Sequence, residues 1–78
     1  MLREHLVMTV EKRAATLKPG DVFDYEHQGR SQEVTVLGRG LPHTDVTGKS
    51  VLKFWCASGP GEGWMVFGHQ AVIHTKTT

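Results

Sequence analysis

Wherever apolar and polar residues alternate regularly along this chain, the period is two, the spacing of a half-buried β-strand. Leu6, Met8 and Val10 alternate with Val7, Thr9 and Glu11, which predicts a strand from about His5 to Lys12. Helix formers between Arg3 and Arg13 leave a helix open as the rival there. Arg13-Ala14-Ala15-Thr16 has room for one helical turn, which would carry Leu17 into the core. Pro19-Gly20 fits a type II turn, since Pro presets φ at the first central position and Gly accepts a positive φ at the second. Asp21 follows as a turn residue able to bond nearby amides. Val22 to His27 alternates again, with Phe23 and Tyr25 on one face and Val22, Asp24 and Glu26 on the other. Gln28 to Ser31, centred on Gly29, reads as a hairpin loop, and Glu33 to Leu37 as the return strand with Val34 and Val36 inward.

Two glycines and a proline in Gly38-Arg39-Gly40-Leu41-Pro42-His43-Thr44-Asp45 predict the longest irregular stretch of the chain. Thr47-Gly48-Lys49 turns into a strand over Ser50 to Ala57, and the glycine-rich turn Ser58 to Gly63 leads to another over Trp64 to Phe67. After the short turn Gly68-His69-Gln70, a last strand runs from Ala71 to about Lys76. Short strands separated by turn chemistry imply a single all-β domain over residues 1–78: a small SH3-like, partly open barrel of five or six short strands, with an OB-type barrel second. The first and last strands are expected to pair, because each would otherwise leave an open edge.

Composition narrows this picture without naming a chemistry. A chain of 78 residues is near the lower limit for independent folding, so its core is one small cluster. Nine Lys and Arg against eight Asp and Glu leave a formal charge of +1, which argues against affinity built mainly on phosphate neutralisation. The single cysteine, Cys56, permits no intrachain disulfide, and beside Phe54 and Trp55 it reads as a small buried hydrophobe. Met1 to Val10 has neither the apolar run nor the cleavage site of a signal peptide, and no run approaches a membrane span. The expected location is the cytoplasm.

The run Val10-Glu11-Lys12-Arg13-Ala14-Ala15-Thr16-Leu17-Lys18-Pro19-Gly20-Asp21-Val22 resembles a pattern of small uncharacterised proteins of actinobacteria and their phages, which have an Ala-x-x-Leu-x-Pro-Gly-Asp opening. In those proteins the opening precedes a compact SH3-like barrel, and a short turn precedes the last strand, as Gly68-His69-Gln70-Ala71-Val72 does here. The resemblance covers the layout of most of the chain and about a dozen of its residues. It implies a fold and an origin, and for a phage protein the host cytoplasm; it brings no active site.

The most informative constellation is a tryptophan hairpin. If Ser50–Ala57 pairs with Gly63–Phe67 around a centre between Gly59 and Pro60, Trp55 lies opposite Trp64, Phe54 opposite Met65 and Leu52 opposite Phe67. Leu52, Phe54, Met65 and Phe67 then form a core face, while Trp55, Trp64, Lys53 and Val66 share the other. That face suits a protein partner, a second copy of the chain or a platform for base stacking. A register shift of one residue, or cover from the N-terminal segment, would instead bury both indoles. Arg39, in the Gly38–Asp45 loop, is a further contact candidate because loops on rigid barrels carry binding residues.

Other motifs are weak. The histidines at 5, 27, 43, 69 and 74 lack the paired spacing of a zinc site. Asp21, Asp24 and Glu26 read as a turn former and a solvated strand face that pairs with neighbouring cations. The glycine-rich loops lack the spacing and following helix of a phosphate loop, so no cofactor is implied. With no nucleophile–base pair legible, the expected function is a non-enzymatic binding module acting through a protein partner or as a homo-oligomer. The alternatives are nucleic-acid binding, which requires Arg13, Lys18, Arg30, Arg39, Lys49 and Lys53 to cluster, and sequestration of a small ligand between protomers.

Overall fold

The computed structural model describes residues 8–77, and they form one curled antiparallel sheet, a half-barrel. In chain order its strands are β1 (Met8–Arg13), β2 (Val22–His27), β3 (Arg30–Val36), β4 (Leu41–Thr44), β5 (Ser50–Ser58), β6 (Gly61–Phe67) and β7 (Val72–Thr77). The expected barrel is therefore present, with seven strands among the described residues instead of five or six. The expected start of the first strand, from His5, lies outside the described residues; from Met8 onward the segment is strand and not helix.

The order across the sheet is β1-β7-β2-β3-β5-β4, with β6 on the other side of β5. β7 returns from the end of the chain to pair with β1 along its length and with β2 at Phe23 and Val22. The terminal strands thus close on each other as expected, and Thr75 Oγ1 ties them by donating to the Val10 carbonyl at 3.0 Å. Between β1 and β2, Ala14–Thr16 makes a single 3₁₀ turn that sends Leu17 into the core. The type II turn follows: Gly20 has φ +97°, and the Asp21 amide donates to the Lys18 carbonyl at 3.1 Å.

Three expectations need correction. Gln28–Ser31 is a two-residue turn, because positive φ at both Gln28 and Gly29 gives a type I′ hairpin whose twist matches the strands. Ser58–Gly63 is likewise only Gly59-Pro60, with Gly59 at φ +58°, so β6 begins at Gly61. Half of the Gly38–Asp45 loop, Leu41–Thr44, is strand. β4 continues β3 along the same edge of β5: partner numbers sum to 92 in β3–β5 and to 94 in β4–β5, so the link holds two extra residues. Leu37 and Gly38 both donate to the Trp55 carbonyl there, the two-against-one geometry of a bulge. Pro42 is tolerated because it faces Leu52 in a pair that exchanges no backbone bonds, so its missing N–H would point to solvent.

The concave side carries the core: Ala14, Leu17, Phe23, Val34, Val36, Phe54, Cys56 and Ile73, joined by Leu52, Met65, Phe67 and Ala71. Phe67 meets Phe23 edge-on at 5.8 Å, bringing the end of β6 towards β2 across the barrel mouth. Beyond that contact the two strands part. The gap between them opens a groove of ≈ 460 Å³ lined by Tyr25, Gln32, Val34, Cys56, Met65 and Phe67.

Candidate functional site

The β5–β6 register follows from its turn. Two residues at Gly59-Pro60 set Ser58 against Gly61, and every later pair follows, including Trp55 with Trp64, Phe54 with Met65 and Leu52 with Phe67. This is the register expected from the sequence. The Trp55 carbonyl faces β3, where it accepts Leu37 and Gly38, so Trp55 and Trp64 exchange no backbone bonds with each other. Such pairs bring side chains closest together. The two indoles accordingly meet edge to face, with centroids 5.0 Å apart and planes at 73°.

Their surroundings differ. Trp55 is half-buried, and its Nε1 donates to Glu62 Oε1 at 3.0 Å. Trp64 is 50% exposed and Val66 48% exposed, both on the convex face of an edge strand. Lys53, directly across from Val66, lays its Nζ over the Trp64 ring, 4.5 Å from the centroid. Arg39 is exposed and follows Gly38, where a Cβ would lie 3.8 Å from Trp55 Cβ. The structure thus brings Trp55, Trp64, Lys53 and Val66 together, and leaves Arg39 exposed in the link between β3 and β4.

Sequence reasoning passed over two residues of this face. Glu62 anchors the Trp55 indole, and its place two residues before Trp64 on the same strand face made it findable. Leu37, 42% exposed, follows buried Val36 and donates its amide to Trp55. Strand alternation alone puts it outward.

The remaining candidates are dispersed. Asp21 bonds a nearby amide as a turn residue, as expected, accepting the Lys18 N–H at 3.0 Å, but it is also buried, 8% exposed, and is held by Lys12 Nζ at 3.0 Å and Lys18 Nζ at 3.3 Å. Asp24 pairs with Lys76 of neighbouring β7 at 2.9 Å, and Glu33 shares that ammonium at 3.0 Å. Cys56 is buried, its thiol donates to the Phe54 carbonyl at 3.6 Å, and burial pushes its pKa up. Ser50 Oγ and His69 Nε2 lie 3.3 Å apart on the surface, and among the described residues no acid is bonded to the ring to orient it as a base. Among the described residues no group of three or more His, Cys, Asp or Glu gathers as metal ligands. The basic residues do not cluster: Arg30 and Lys49 sit at opposite ends of the β3–β4 path, Lys18 is held at Asp21, and Arg13 donates to the Gln70 carbonyl.

No family model, curated protein or solved structure matches the chain. Among the described residues no helix is long and apolar enough to cross a membrane.

Proposed function

We propose that this chain is a non-enzymatic binding module that works by protein–protein contact through the convex face of the β5–β6 hairpin. One observation carries the reading: Trp64 and Val66 stand half in water on an edge strand, backed by a fixed Trp55 and flanked by Lys53 and Glu62. A rigid indole with a charged rim is the composition of an interface hot spot. In a domain with so small a core, leaving Trp64 outside forgoes roughly 2 kcal/mol of burial that a partner would recover. Base stacking suits the site less well, because Lys53 already lies over the Trp64 ring and the other cations are scattered. The resemblance of Ala14–Asp21 to small actinobacterial and phage proteins supports an accessory role in the cytoplasm.

Quenching of tryptophan emission by a neutral quencher, with light scattering on the eluting full chain, tests the proposal. Trp64 is expected to be quenched readily and Trp55 weakly, and Trp64→Ala is expected to weaken association at least tenfold while the fold is kept. Association unchanged by both Trp64→Ala and Trp55→Ala overturns it.

A further inference from the structure

We infer that the partner on this face is a second copy of the chain, added edge to edge through β6 about a two-fold axis at Trp64. The inference rests on the proposed use of the indole face and adds its occupant and register. Among the described residues β6 pairs with β5 alone, so one side of it is an open ladder. Trp64 exchanges no backbone bonds with Trp55, so its N–H and C=O point away from β5 into that open edge, as do those of Glu62 and Val66. Open edges are usually blunted by lysine, proline or a bulge. Among the described residues the other strands with an open side are β1, which ends in Glu11, Lys12 and Arg13, and β4, which carries Pro42, whereas β6 reads Gly-Glu-Gly-Trp-Met-Val-Phe and carries none of these devices.

The strand also matches itself. Gly61–Phe67 is seven residues long with Trp64 at its centre, so an antiparallel copy about that point overlaps its whole length. Trp64 then faces the partner's Trp64, and Glu62 faces the partner's Val66, each pair exchanging two backbone hydrogen bonds. On the convex face this places Glu62 of one copy beyond Val66 of the other, within side-chain reach of Lys53 on the next strand, so opposite charges meet twice. On the concave face Gly61 falls opposite Phe67 and Gly63 opposite Met65, small against large. The result is a continuous sheet through both half-barrels, with the four indoles in one row across it.

Sedimentation of the full chain with charge swaps tests this. Within one copy Lys53 lies across from Val66 and Glu62 across from Ala57, four residues apart along the pair, whereas across the axis they stand at the same level, two strands apart. The chain is expected at twice its monomer mass at about 100 µM, an ordinary range for a small interface. Glu62→Lys should raise the dissociation constant at least tenfold, and adding Lys53→Glu to it should restore most of the loss. To fix the register independently, Glu62→Cys mixed with Val66→Cys should cross-link through a short bis-maleimide, while neither does so alone. A monomer at that concentration overturns the inference alone, because the indole face is then left for a different protein. Association that Trp64→Ala abolishes but Glu62→Lys leaves unchanged, or equal cross-linking of either cysteine variant by itself, also overturns it and leaves the reading of the face standing.

Discussion

Gly20 shows what a single residue contributes here. Its φ of +97° lies where a side chain on Cα collides with the backbone, yet a Cβ built at this position meets nothing within 4 Å. The cost of replacing it is therefore the backbone's alone. Gly20→Val is expected to destabilise the fold by about 1–2 kcal/mol, lowering the melting temperature by roughly 4–8 °C per kcal/mol in a domain this small. Gly20→Asn should cost less, because Asn tolerates the left-handed region. Equal melting temperatures for the two variants would remove the turn strain as the cause. Cys56 makes the opposite point, since its environment and not its backbone decides its behaviour. Buried, with its pKa raised by burial, the thiol should resist a water-soluble disulfide reagent in the native protein and react fully once the chain unfolds. Native-state labelling at the rate of a free thiol would contradict that.

At the scale of elements, the link between β3 and β4 holds the least obvious constraint. Gly40 passes so close to the fully buried Phe54 ring that a Cβ there would lie 2.7 Å from Cζ and 2.8 Å from Cε2. The ring has no free end to swing aside. Gly40→Ala should cost about 1–3 kcal/mol, and Phe54→Leu in that background should return part of it, as melting curves of the single and double variants would show. If the double variant is simply additive, the contact is not the cause. This link is also where the sequence was least legible. Gly38, Gly40 and Pro42 spell a loop to any local rule, and only the position of β5 shows that Pro42 needs no N–H and that the glycines let the chain bulge past Trp55 and Phe54. By contrast, the β5–β6 register was readable from Gly59-Pro60, because a two-residue turn leaves no freedom in the pairs that follow. That arithmetic put Trp55, Trp64, Lys53 and Val66 on one face. It did not tell Trp55 from Trp64, since their unequal exposure comes from Glu62 and the bulge on one side and an open edge on the other.

Across the whole molecule, ion pairs join parts of the sheet that are distant in the chain, and they set how stability depends on pH. Asp21 sits at the junction: Lys12 of β1 holds its carboxylate, and its carbonyl accepts the Val36 amide at the end of β3. Burial pushes its carboxyl pKa up, but the Lys18 amide and the Lys12 and Lys18 ammonium groups more than offset this and leave it below the usual value. Asp45 is lowered too, chiefly by the Thr47 hydroxyl and the Lys49 amide. A depressed carboxylate contributes stability that is present above its unfolded pKa, about 4, and is lost as pH falls through the folded one. Lys12, raised first by its bond to Asp21, and Lys76, raised first by Asp24 and then by Glu33, act at the other limb. Their contribution is complete below about pH 10 and fades as pH rises through the folded values. The melting temperature is therefore expected to be flat from about pH 5 to about pH 8 and to fall on both sides, the buried Cys56 thiol adding to the alkaline loss because it stays protonated in the fold while the unfolded chain ionises. Asp21→Asn should lower the plateau by about 1–3 kcal/mol, since it leaves Lys12 without a charged partner, and its deficit relative to the parent chain should shrink as pH drops below about 4, where the parent's carboxyl is itself protonated. A deficit that stays constant from neutral pH down to about pH 2 would mean that Asp21 holds β1 to the barrel through shape and neutral hydrogen bonds and not through its charge.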